Sequence, residues 1–113
     1  MLYTKSRTEL SAEDFRNPPV CYRGAPFWSW NCLITREMID EQIRCFRKMG
    51  MGGFHIHVRV GLKNQYLDED FLELVCYCDQ KARENGMLCW RYDEDRYSSG
   101  IAGGEVTKTI AFR

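Results

Sequence analysis

Phe54-His55-Ile56-His57-Val58-Arg59-Val60 is the stretch on which the fold turns. Apolar and polar residues alternate strictly, which is the period of a β-strand. Phe54, Ile56, Val58 and Val60 would then face one way, and His55, His57 and Arg59 the other. The residues on either side read as helices. Upstream, Ile39, Ile43, Phe46 and Met49 recur at helical spacing, with Met38 and Cys45 widening the stripe. Thr35 is placed to cap this helix, and Glu37 sits in its first turn, where a carboxylate suits the helix dipole. The spacing predicts a helix over 36–48, stopped by Gly50, with Gly52-Gly53 opening the strand.

Downstream, Gly61 to Gln65 form a loop and Asp68 caps a second helix, with Glu69 and Asp70 in the first turn. Phe71, Leu74, Val75, Cys78 and Ala82 make its buried stripe, and Asn85-Gly86 ends it. Met87 to Tyr92 is a third apolar strand. Pro26-Phe27-Trp28-Ser29-Trp30-Asn31, ahead of the first helix, is short, aromatic and strand-like.

The order is strand, helix, strand, helix, strand. Both helices are long enough to cross back over a sheet, so the expected class is α/β, a parallel, right-handed βαβαβ unit. Residues 1–20 are polar and end in Asn17-Pro18-Pro19, which resists helix, so they are expected to form an extended N-terminal arm. The domain proper is expected over 21–113. The nine residues after Gly104 are too few for a third crossover helix and a fourth strand.

With 16 basic and 16 acidic residues the formal net charge is zero. That leaves no electrostatic footprint for nucleic acid or an anionic membrane. No apolar stretch approaches the length of a membrane span, and the first residues do not read as a secretory signal. The six cysteines, Cys21, Cys32, Cys45, Cys76, Cys78 and Cys89, sit mostly inside apolar periodic segments. They are expected as reduced thiols in a cytoplasmic protein, without structural zinc.

In parallel α/β folds, ligand groups gather at the C-terminal ends of the strands. The three ends here carry Trp30-Asn31, His57 with Arg59, and Asp93-Glu94-Asp95 after Tyr92. Trp30 has a flat apolar face suited to a sugar ring, and equally suited to a core. Asn31 has donors and an acceptor for hydroxyls. Arg59 could hold a carboxylate or pair with one of the acids. Asp93 and Asp95 share a face if the strand runs that far, with Glu94 opposing them. Neighbouring carboxylates rarely meet the separation across a cleft that glycoside hydrolysis requires, so hydroxyl binding or support of an arginine is the expected role. Gly100, Gly103 and Gly104 do not match a dinucleotide fingerprint, and no cofactor is expected.

Several uncommon blocks occur in one order: Pro26 to Asn31, Gly52-Gly53-Phe54, His57-Val58-Arg59, Gly61-Leu62, Tyr66-Leu67, Gly86-Met87, Tyr92 to Tyr97 and Gly100 to Gly104. Together they resemble the start of large glycoside hydrolase-like proteins related to the alpha-L-rhamnosidase type, which have a TIM-barrel catalytic domain. The likeness spans about residues 17–108. It implies that the chain is the first three strands and two helices of such a barrel, incomplete by itself. It also implies that Trp30, Asn31, His57, Arg59, Tyr92, Asp93, Glu94 and Asp95 line the substrate end. The catalytic acid and base of the group are expected on later strands, so no residue here inherits those roles. Two departures are His55, where the group has an apolar residue, and Tyr97-Ser98-Ser99-Gly100, where it has Trp-Pro-Ser-Gly.

The expected function is therefore the carbohydrate-binding wall of a truncated or split glycoside hydrolase, not catalytic alone. One alternative is a nonenzymatic α/β module that self-assembles as a homo-oligomer or binds a partner protein. Another is a metal-dependent hydrolase using His55 and His57.

Overall fold

The computed structural model describes residues 9, 11–95 and 100–109. A short helix α1 (Ala12–Arg16) and a 3-10 turn (Val20–Tyr22) precede β1 (Phe27–Trp30). Then come α2 (Arg36–Lys48), β2 (Gly53–Val58), α3 (Glu69–Glu84) and β3 (Leu88–Asp95), followed by two 3-10 turns at Ala102–Gly104 and Val106–Lys108. The strands form one parallel sheet in the order β1-β2-β3. This is the expected parallel βαβαβ unit, with an open, uncurled sheet like part of a barrel or of a doubly wound fold.

Thr35 caps α2 by accepting from the Met38 amide, and Asp68 caps α3 by accepting from the Phe71 amide. Each side chain satisfies an amide that the helix itself leaves without a partner. Both helices lie on one face of the sheet. Ile39, Ile43 and Phe46 of α2 and Phe71, Val75, Cys78 and Ala82 of α3 form one core with Trp28, Trp30, Phe54, Ile56 and Val58. Trp28 meets Phe46 and Phe54 edge-on at 5.4 and 5.1 Å. Because strand order is sequential and the helices share a face, the two crossovers have the same hand.

Gly53 is required by close approach. A Cβ there would lie 2.6 Å from Trp90 Cζ3 and closer still to the Leu88 carbonyl oxygen. Its absence lets β3 seat against β2 while Trp90 folds across it, with its ring stacked on His55 at 4.8 Å.

Three expectations change. The arm is not wholly extended, because Ser11 accepts from the Asp14 amide and starts α1 before the prolines stop it. Arg23 ties the arm to the body, donating to the Pro18 and Gly50 carbonyls and to Asn17. Val60 lies beyond β2 and is exposed, as is Met49 at the end of α2. β3 runs three residues further than the apolar stretch and takes in the acidic run. Of that region, Arg96 to Ser99 lie outside the described residues.

Candidate functional site

The sheet face opposite the helices carries Phe27 and Ser29 of β1, His55 and His57 of β2, and Trp90, Tyr92 and Glu94 of β3. Its centre is produced by an irregularity in pairing. Ile56 faces Arg91, yet Val58 faces Asp95, so Tyr92, Asp93 and Glu94 together oppose the single residue His57. Such a bulge re-aims side chains. Here it brings both Tyr92 and Glu94 to one imidazole.

His57 is 2% exposed and Glu94 4%. His57 Nε2 lies 4.0 Å from Glu94 Oε1, close enough for electrostatic coupling and too far for a hydrogen bond. Glu94 Oε2 has no hydrogen-bond partner. Two rings bracket the imidazole: Phe27 at 4.4 Å and Tyr92 edge-on at 4.5 Å. Those rings also meet each other at 5.6 Å. Phe27 is 52% exposed and Tyr92 46%. The face therefore presents two half-exposed aromatic rings over a buried imidazole and carboxylate.

The other acids of the run go elsewhere. Asp95, on the helix side of β3, lines a polar cleft of about 380 Å³ at the strand ends with Arg59, Lys63, Asn64 and Tyr66. Burial, then the carboxylates of Asp95, Asp93 and Glu94, push the Tyr66 hydroxyl above its ordinary value. Gly103, with φ of +66°, lies against Tyr66 and Asp95 where any side chain would crowd them. Asp93 lines an apolar cleft beside α3. Asn64 holds the loops together, accepting from the Ile34 amide at 2.8 Å and donating to its carbonyl at 3.1 Å. Asn31 and Arg59 are exposed at the ends of β1 and β2, linked through the Arg59 amide donating to the Trp30 carbonyl.

The eight residues read from the sequence thus divide. His57, Tyr92 and Glu94 meet on one face. Asn31 stands at its rim, Arg59 shares the polar strand-end cleft with Asp95, and Asp93 faces the apolar cleft beside α3. Trp30 is fully buried among Trp28 and Phe71, with no ring face open to a ligand. Phe27 was missed, although the alternation Phe27-Trp28-Ser29-Trp30 already places it opposite the tryptophans.

Among the described residues no three His, Cys, Asp or Glu side chains gather as metal ligands. His55 stacks on Trp90 instead of joining His57. None of the six cysteines forms a disulfide. Among the described residues no helix is long and apolar enough to cross a membrane.

The sequence matches no protein-family model and no curated protein.

Proposed function

We propose that the face opposite the helices is the carbohydrate-binding wall of a barrel-like site of the glycoside hydrolase kind, related to the alpha-L-rhamnosidase type, and that this wall binds without catalysing. In this reading residues 21–113 are the barrel-like unit and residues 1–20 its preceding arm. One observation carries it: Phe27 and Tyr92 stand half-exposed on the sheet face, over a polar pair, with exposed Asn31 at the end of β1 and Arg59 in the adjoining strand-end cleft. Aromatic rings offer the flat apolar surface on which the C–H face of a sugar ring stacks. Hydroxyls around that ring meet amide, guanidinium and carboxylate groups at its edge.

The same geometry argues against hydrolysis by this chain alone. Glycoside cleavage uses two carboxyl groups across the sugar, about 5–9.5 Å apart. β3 places Glu94 on this face, while Asp93 and Asp95 line clefts on the other. Further βα units are needed to supply a facing carboxylate and the opposite wall.

The test is equilibrium binding of neutral monosaccharides, L-rhamnose among them, followed by nuclear magnetic resonance. Saturable binding that is weakened at least about tenfold by Tyr92→Ala and by Phe27→Ala supports the proposal. Saturable binding that survives both substitutions, or none to any sugar, refutes it.

A further inference from the structure

The sheet has a second unfilled place, on its helix side. Two adjoining clefts run between α3 and the outer edge of β3, sharing Val75 and Arg91. The upper, of about 320 Å³, is apolar and includes Ile56, Val58, Phe71 and Leu72. The lower, of about 260 Å³, includes Cys76, Asp79, Arg83 and Cys89. Leu72 is 47% exposed there.

Internal repetition states what belongs in this groove. The core residues Ile39, Ile43 and Phe46 of α2 correspond, in spacing, to Phe71, Val75 and Cys78 of α3. With that alignment, Asp40 corresponds to Leu72 and Arg47 to Asp79. Asp40 and Arg47 are two of the residues through which α2 receives its neighbour, beside Arg36, which pairs with Glu73 and lies over the Tyr77 ring. Asp40 accepts from the Tyr77 hydroxyl at 2.8 Å, and Arg47 donates to Asn85 at 3.2 Å. Leu72 and Asp79, the equivalents on α3, are the residues that line the two clefts. The side of α3 turned to the groove is thus the side a neighbouring helix would occupy.

We infer that this groove receives an amphipathic helix of another βα unit, parallel to α3, as α3 itself sits beside α2. The chemistry of that helix follows from the groove. Where α3 meets Asp40 with a tyrosine hydroxyl, the incoming helix meets Leu72 with an apolar side chain. Across the sheet the row Trp28, Ile56, Arg91 ends in a charge on the helix-facing side, so the incoming helix carries a carboxylate against Arg91. The inference rests on the reading that further βα units complete the wall, yet it requires no sugar.

The probe is a fluorescein-labelled peptide of residues 68–85 carrying Tyr77→Leu, tested against the whole chain by fluorescence anisotropy. Saturable binding, weakened about tenfold when the chain carries Leu72→Glu and unchanged by Phe15→Glu on the exposed arm helix, supports the inference. Tighter binding of the Tyr77→Leu peptide than of the unaltered peptide supports it further. Binding insensitive to Leu72→Glu means displacement of α3 and overturns it, as does no saturable binding. A dimer of the chain dispersed by Leu72→Glu in sedimentation assigns the groove to a second copy and also overturns it. The sugar titrations are unaffected by each of these results, so the two readings fail separately.

Discussion

Replacing Glu94 by glutamine should make the protein more stable. Glu94 is almost wholly buried, its Oε1 is 4.0 Å from His57 Nε2, and its Oε2 has no hydrogen bond. A buried carboxyl oxygen without a partner carries a desolvation cost of about 1–3 kcal/mol, more if it is ionised, and more than a buried amide does. Glutamine keeps the shape and removes the charge, so the expected gain is about 1–2 kcal/mol. At about 4–8 °C per kcal/mol for a domain near this size, the midpoint of thermal unfolding should rise by roughly 5–15 °C. Urea unfolding followed by the fluorescence of Trp28, Trp30 and Trp90 measures it, provided the slope with denaturant is unchanged. If the face is the proposed binding wall, this cost is the one a site incurs by holding a polar group ready for a ligand. A loss of more than about 1 kcal/mol would show that the carboxylate is a satisfied structural partner of His57 and would refute the reasoning.

Other expectations follow from the same geometry. Gly53→Ala should lower stability by about 1–3 kcal/mol, since its methyl group would press on Trp90 and the Leu88 carbonyl; an unchanged urea midpoint would contradict the β2–β3 seating. Ile43→Ala, in the core between α2 and the sheet, should cost about 2–5 kcal/mol by the same assay. Thiol labelling of the native chain at neutral pH should reach exposed Cys32 and Cys76 first and Cys78 last, because burial pushes the Cys78 thiol far up; early modification of Cys78 would mean that α3 does not stay docked. Burial, helped by Asp79, raises Cys89 from 9 to about 11. A folded-state value above the unfolded one gives stability that is complete below pH 9 and lost as pH rises through about 11. Tyr66 acts in the same direction above its ordinary value of 10. The urea midpoint should therefore fall across that alkaline window, and a rise there would contradict both assignments.

The elements were legible where local chemistry determines them. Thr35 and Asp68 announce their helices because each cap is a contact between residues three apart. The alternation of β2 needs only its own side chains. The sequence of β3 does not show its bulge, because that irregularity exists only relative to β2, thirty-odd residues away. Without it, Glu94 could be assigned to the face opposite Asp93 and Asp95, but its convergence with Tyr92 on His57 could not be seen. Trp30 was open to two readings, since an aromatic ring at a strand end suits a ligand platform and a core equally. The choice was made by α3, which brings Phe71 to 5.7 Å from its ring. α1 was hidden by the prolines that follow it, although Ser11 with Glu13 and Asp14 is a helix-start pattern.

The most direct test of the carbohydrate wall is to locate a bound sugar on the sheet by nuclear Overhauser contacts. With a saturating neutral monosaccharide, contacts are expected from the sugar C–H protons to the rings of Phe27 and Tyr92, and none to Trp28 or Trp30 behind the sheet. Contacts confined to the helix side, or a sugar that binds while leaving both rings untouched, would contradict it.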